Sequence, residues 1–284
     1  VWRSTQEPQL HEQCDLRFTS ITYNEKDAED APQTFTYTTK VMPGLNVSGW
    51  GVSKGTHEKQ SGIKTSSLHF GTEQLISPIA EGKGYWQYIP QNRGVTFLTQ
   101  YDYDVRFGLL GKAFNLLFKP VMGWATALSF DVLKRWIEIG ERPATQYRRF
   151  FSYYFICIAM FVIWFYQGLV PKVWLTHPQE VDMLMKLSGL SENIAVQTVW
   201  WIGLVEMLFS LVWLISFRKK ILFGLQIVLF PLLTVSALVA NVETATAPFN
   251  VMTFNFALWI LSMIGYMLAD NIPTATSCKR KKVK

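Results

Sequence analysis

The chain has 284 residues, of which 49% are hydrophobic and 17% charged, with a formal net charge of +6 and three cysteines. That apolar share excludes a disordered polar chain, and Cys14, Cys157 and Cys278 show neither a CxxC nor a Cys/His ligand spacing, so neither a disulfide framework nor a metal site is expected. The positive balance is smaller than the number of basic residues flanking the apolar segments below, which points to placement against anionic lipid rather than to nucleic acid.

From Val1 to about Gln13 the stretch VWRSTQEPQLHEQ reads as helix broken near Pro8. No apolar run opens the chain, so no signal peptide is visible, and Val1 in place of Met leaves room for residues upstream. Strand signals follow at Leu16–Tyr23, Gln33–Val41, Leu45–His57, Lys64–Phe70 and Gly84–Ile89, separated by turn-forming pieces at Asn24–Pro32, Met42–Gly44 and Gln91–Gly94. The clearest is Val95–Phe107, where Val95, Phe97, Thr99, Tyr101, Tyr103 and Val105 alternate with more polar residues. Short links between consecutive strands predict an antiparallel sheet.

After Gly108 the period changes to three or four through Leu110, Phe114, Leu117, Val121, Trp124, Leu128, Val132 and Trp136, which predicts one long amphipathic helix ending at Gly140. Pro120 is expected to kink or split it. A one-sided helix next to a sheet with an apolar face gains by covering that face. The aromatic residues Trp50, Phe70, Trp86, Tyr88, Phe97, Tyr101 and Tyr103 are candidates to line a cavity against Phe114, Leu117, Trp124 and Leu128. An ordinary filled core is the alternative, and strand register decides which residues face inward.

The second half carries four apolar stretches of about twenty residues, the length of a bilayer-spanning helix. They are Phe150–Val170, Val196–Phe217, Ile221–Ala240 and Val251–Leu268, and Glu206 is their one formal charge. Basic residues cluster before the first (Lys134, Arg135, Arg142, Arg148, Arg149), between the second and third (Arg218, Lys219, Lys220) and after the fourth (Lys279, Arg280, Lys281, Lys282, Lys284). Four spans put all three clusters on one side, so both ends are predicted cytoplasmic in the plasma (inner) membrane. The other side receives Pro171–Ala195, with Lys172 and Lys186, and Asn241–Asn250, which has no basic residue. The division that follows is residues 1–140 as a sheet domain, 141–149 as a basic linker, 150–270 as the membrane domain and 271–284 as a basic tail.

An ionisable side chain at mid-span costs roughly 2 to 3 kcal/mol by insertion scales unless it meets a partner or water. Glu206 is therefore expected to face inward, in a polar cluster with Gln167, Gln226 and Asn255. Proton handling, or a hydrogen bond to a quinone or lipid headgroup, stands beside interhelical glue as its role. Asn250, beside Pro248, is either part of a ligand mouth or a capped turn. His11, His57, His69 and His177 are scattered, and no catalytic motif, phosphate loop or flavin loop is visible, so no catalytic residue is assigned.

Two resemblances extend this reading. WRSTQEPQLHEQ with DLRF, EGKGYWQYIP (Glu81–Pro90) and FNLLFKPVMGWATALSFDVLKRW (Phe114–Trp136) resemble the helix-grip fold of the START and polyketide-cyclase-like (SRPBCC) superfamily. That resemblance implies an α+β domain whose sheet and long helix enclose a site for an apolar or amphipathic molecule. The superfamily begins with a strand that is not seen before Trp2, and its members tend to have an aromatic residue where Cys14 stands. WFYQGLVPK (Trp164–Lys172), GLVEML (Gly203–Leu208) and APFN (Ala247–Asn250) are similar to the DoxX-like four-helix membrane proteins. Together they imply a helix-grip domain followed by an all-α four-helix transmembrane bundle. The function implied is that of a membrane-anchored protein that holds or delivers a lipid-like ligand, with the bilayer and that ligand as partners and no cofactor. The alternative is a subunit of a membrane redox system whose bundle binds a quinone and which needs a redox partner subunit.

Overall fold

The computed structural model describes residues 1–284 except Asp27, Glu29, Asp30, Pro43, Phe217 and 280–284, and gives the backbone alone for Met42, Lys54 and Thr56. The excepted positions include parts of two expected turns, the end of the second expected span and most of the basic tail, which therefore lie outside the described residues. The chain forms two compact units, Val1–Tyr147 with the residues from Pro273 on, and Arg148–Ile272.

In the first unit, α1 (Trp2–Gln6) and α2 (Pro8–Cys14) are separated by an extended Glu7, and Pro8 opens α2 where a missing N–H costs nothing. A six-stranded antiparallel sheet follows in the order of the chain. Its strands are β1 (Ser20–Tyr23), β2 (Gln33–Met42), β3 (Leu45–Glu58), β4 (Lys64–Gly71), β5 (Ile79–Gln91) and β6 (Gly94–Val105). β1 is shorter than its sequence signal because the Asp15 carboxylate accepts the Arg17 N–H at 2.9 Å and holds a turn there.

Residues directly opposite in an antiparallel pair share a face, so register decides which aromatic residues come together. Tyr23 opposes Phe35, Phe35 opposes Gly51, Gly51 opposes Phe70, Phe70 opposes Gly82 and Gly82 opposes Tyr103. Tyr101, Trp86, Tyr88 and Phe97 stand on that same face through the pairs Gly84–Tyr101, Trp86–Thr99 and Tyr88–Phe97. Glycine faces a large ring at several of these pairs. A Cβ on Gly82 would stand 2.6 Å from Phe70 Cζ, and one on Gly51 would stand 2.2 Å from Phe35 Cζ. The rings thus cover bare backbone, an arrangement that restores the packing glycine lacks.

α3 (Gly108–Ile139) is continuous through Pro120 and ends at Gly140, which has φ +72° and donates its N–H to Trp136 O. It meets β6 through Tyr103 Oη, which donates to Asn115 Oδ1 at 2.7 Å, and through Phe97, 4.6 Å from Phe130. Its C-terminal half is buried at Ala125–Ser129 and Asp131–Leu133, with Asp131 Oδ2 accepting the Thr274 N–H at 2.8 Å.

The second unit contains most of α4 (Pro143–Gln167), which continues as a π-helical segment, Gly168–Trp174, and then α5 (Pro178–Ser188), α6 (Glu192–Ile215), α7 (Lys219–Ala240) and α8 (Val251–Leu268). Tyr153, Cys157, Met160 and Trp164 recur along one face of α4 and pack with Trp213, Phe223, Phe230 and Leu258. Ser210, Gln226 and Ser262 are fully buried, whereas Phe155, Trp201, Val205, Leu208 and Ile215 point outward. Polar residues inside and large apolar ones outside are what a hydrocarbon surrounding selects.

The expectation of a four-helix bundle needs correction. Among the described residues five helices are long and apolar enough to cross a membrane: Gly108–Ile139, Pro143–Trp174, Glu192–Ile215, Lys219–Ala240 and Val251–Ser277. The extra one is α3, whose Leu109, Leu110, Leu116 and Leu117 are exposed and do not cover the sheet as the sequence led one to expect. The second unit also contains α5, which the sequence reading left as a connection.

Candidate functional site

The site in the second unit grows from a close helix crossing. Gly168, where α4 passes into the π-helical segment, meets Gly203 of α6, and a Cβ on Gly203 would stand 2.7 Å from both Gly168 O and Lys172 Cβ. Pro171 lies within the widened turn, which accommodates a residue that cannot donate to the preceding carbonyl. Widening carries Lys172 inward. It is only 9% exposed, although the sequence placed it in the loop beyond the span.

Lys172 Nζ stands 3.0 Å from Glu206 Oε2, 3.7 Å from Glu180 Oε2 on α5 and 3.5 Å from Gln167 O. The contact with Glu206 is an ion pair between two largely buried side chains. α5 is held against α6 by Val181, Ala195 and Val199, with Leu184 and Met185 around them. One cation thus stands between two carboxylates, which compensates charge that would otherwise be buried alone.

Of the other intramembrane candidates, Gln226, Asn255 and Asn250 do not join this cluster. Gln226 Oε1 accepts from Ser262 Oγ at 3.1 Å, and Asn255 Nδ2 donates to Thr234 Oγ1 at 3.1 Å, both between α7 and α8. Asn250 Oδ1 accepts the Thr253 N–H at 2.9 Å and so caps α8. Gln167 contributes its backbone carbonyl. Lys172 and Glu180 are the members that sequence reasoning missed, although one signal was present: a mid-span glutamate needs a cation, and between Arg149 and Lys186 the chain has no Lys or Arg but Lys172.

Residues 161–263 match the DoxX-like family. Over 292 aligned positions the chain is 35% identical to YndG of Bacillus subtilis (strain 168), an uncharacterized membrane protein, covering 100% of this chain and 93% of the relative. The chain belongs to the DoxX-like family. It is a membrane protein, and Lys172, Glu180 and Glu206 all lie within the DoxX-like segment. No solved structure gives a significant match.

In the sheet unit of this DoxX-like protein the candidate aromatic residues separate by face. Phe70, Trp86, Tyr88, Tyr101 and Tyr103 share one face, while Trp50, opposite Gly71, is on the other, with its ring 5.1 Å from that of His69. Tyr88 is buried and its hydroxyl is 2.6 Å from Thr5 Oγ1, so it fastens α1 to the sheet. Tyr101 Oη bonds to Thr126 Oγ1 at 3.2 Å and its ring lies under Arg17. Phe114 stacks on Phe118 and is half-exposed, and Trp124 is partly exposed.

Beneath α2 sits a buried charge group absent from the sequence reading. Arg17 holds Asp15 through Nε at 2.9 Å and Nη2 at 2.6 Å, and His11 Nε2 lies 3.0 Å from Asp15 Oδ2. Burial opposes the charge on Asp15, but Arg17, with His11 behind it, outweighs burial and holds the carboxyl well below the usual range. Burial, with Asp15 nearby, pushes the Cys14 thiol up to about 12. A cavity of about 10 Å³, room for one water, lies among Thr5, His11, Asp15, Trp86 and Phe97. A wider open groove of about 500 Å³ runs between α2 and β1, lined by Glu7, Gln9, Glu12, Ile21 and Tyr23, and includes none of the expected aromatic residues.

Proposed function

We propose that this DoxX-like membrane protein holds an amphipathic, lipid-like ligand on the aromatic face of its sheet, next to the bilayer that anchors it. The observation that carries the reading is the run of half-buried rings on one face, Phe35, Tyr37, Phe70, Trp86 and Tyr103, with α3 meeting the sheet at β6. Large aromatic surfaces with a few fixed polar groups suit an acyl chain carrying a polar head. Two helices, an antiparallel sheet and a long helix also follow the element order of the helix-grip fold without its first strand, which supports the same class of ligand. Anchoring would raise the ligand's effective concentration at the membrane without any new contact.

The same reading places both chain ends on the cytoplasmic side of the plasma membrane. Tyr147 and Pro273, where the chain leaves and rejoins the sheet unit, belong to one compact unit, which supports an even number of crossings between them. Arg148, Arg149 and Arg218–Lys220 flank those crossings.

Titration of the full chain in nanodiscs with a dansyl-labelled fatty acid tests the reading. Saturable binding is expected, with Phe70→Ala and Tyr103→Ala each weakening it about tenfold, the effect of roughly 1.4 kcal/mol of lost contact. Trp50→Ala, on the opposite face, leaves it unchanged. Probe uptake that only follows lipid content, or equal losses in all three variants, overturns it.

A second reading has its own observation. Trp164 Nε1, Trp213 Nε1 and Gln226 Nε2 are buried in the second unit and meet no hydrogen-bond acceptor among the described residues. A quinone in the bundle would offer carbonyl oxygens to such donors, with electrons passing to a separate redox subunit. Quinone that co-purifies with the wild type and is lost from Gln226→Leu supports it; equal quinone in both sinks it.

A further inference from the structure

We infer that the N-terminal half of α3, Gly108–Trp124, is an interfacial helix that lies in the headgroup layer of an anionic membrane, in addition to the spans of the second unit. Leu109, Leu110, Leu116 and Leu117 are 84%, 80%, 77% and 74% exposed, and Phe114 and Val121 are more than half exposed. Solvent-exposed apolar residues in such a row mark a contact surface.

The order of residues around the helix names the contact. At ~100° per residue, Leu116, Leu109, Pro120, Ala113, Trp124, Leu117, Leu110, Val121 and Phe114 fill a continuous arc of about 160°. Asn115 and Phe118 occupy the side that meets the sheet, where Tyr103 bonds to Asn115 and packs against Phe118. Lys112 and Lys119, two turns apart and both exposed, stand between those two sides, along one margin of the apolar arc. An apolar arc bordered by lysines fits acyl chains below and anionic headgroups at the rim, because a lysine stem lies along apolar surface while its ammonium stays in water.

Composition alone would also let α3 cross the bilayer. Its other half is already engaged: Leu128, Val132 and Leu133 are buried, Ser129 Oγ accepts the Leu16 N–H at 2.9 Å and Asp131 accepts the Thr274 N–H. The N-terminal half, Gly108–Trp124, rises about 25 Å, short of a hydrocarbon core of about 30 Å, and one side of it is occupied by the sheet. Lying in one leaflet satisfies the apolar arc without breaking these contacts.

Single cysteines at Leu109, Leu117, Asn115 and, as a water-exposed control, Lys83 in a Cys278→Ser background test the inference. Each full-length variant carries an environment-sensitive nitrobenzoxadiazole label and is held in nanodiscs with phosphatidylglycerol. At Leu109 and Leu117 the expected result is at least threefold stronger quenching by spin-labelled lipid than at Lys83, with iodide quenching reduced to a similar degree. Asn115 shows neither lipid quenching nor free iodide access. Lys112→Glu with Lys119→Glu removes most lipid quenching at Leu117 in anionic discs. Iodide access at Leu109 and Leu117 equal to that at Lys83 overturns the inference. So does protection from both quenchers, which would mean a protein partner or a second copy on the arc, and so does quenching that ignores the two charge reversals.

Discussion

Gly203 makes room for Lys172. A methyl group on Gly203 would stand 2.7 Å from the lysine's Cβ, and Glu206, three residues further along α6, is the group the lysine meets. The close approach of two glycines and the burial of an ion pair are therefore one feature of the helical unit.

Gly203→Ala is expected to lower stability in detergent by about 1 to 3 kcal/mol, the usual cost of overpacking, because Gly168 O as well as Lys172 Cβ stands in the way. Thermal unfolding followed by tryptophan fluorescence reads it. Gly224→Ala, on α7, is the control, since a Cβ there meets nothing nearer than 3.6 Å. Equal melting of the two variants would show that the crossing is looser than described.

Lys172→Met leaves Glu206 and Glu180 with no cation between them, and breaking a buried pair from one side costs about 3 to 5 kcal/mol. Lys172→Met combined with Glu206→Gln removes both charges of the closest pair and is expected to recover more than half of that loss. The double-mutant cycle measures the coupling directly. Additive losses would mean that the two side chains do not share a site.

Asp15 predicts an acid sensitivity with a definite sign. Its pKa in the folded protein lies below the unfolded value of about 3.9, so its contribution is fully present above that value and is lost as the pH falls toward the folded pKa. Below about pH 4 the unfolded chain binds a proton that the folded one refuses, and stability falls. Asp15→Asn is less stable at neutral pH, having stranded Arg17, and its stability between pH 4 and 3 falls less steeply. Parallel pH curves for the two proteins would remove Asp15 as the source.

Cys14 is expected to resist alkylation in the native protein at pH 8.5, being buried and with its thiol pushed up to about 12. Cys278, partly exposed, reacts under the same conditions. Iodoacetamide labelling followed by peptide mass spectrometry distinguishes them, and modification of both at similar rates would contradict the burial of α2 against the sheet unit.

Local pattern was enough for the elements whose cause is local. Period-two alternation at Val95–Phe107 marks β6, glycine with its left-handed conformation ends α3 at Gly140, and twenty-residue apolar runs announce the spans, because each of these is set by neighbours in sequence. The face on which each aromatic residue lies was not legible. Trp50 and Phe70 lie on neighbouring strands, and only pairing register sends Trp50 to the side opposite Phe70.

The sequence by itself determined that this is a membrane protein with an antiparallel sheet ahead of its apolar helices, and that Glu206 had to find a partner, since hydrocarbon penalises a bare charge whatever the fold. Only the tertiary structure decided that the partner is Lys172, that Gln226 and Asn255 pair elsewhere, and that Leu109, Leu110, Leu116 and Leu117 of α3 stay exposed. Those outcomes depend on where backbone can approach backbone. A glycine contact between Gly168 and Gly203, and a π-helical turn at Pro171, rotate a residue from the end of one helix into the middle of another, and neither has a signature in the spacing of charges along the chain.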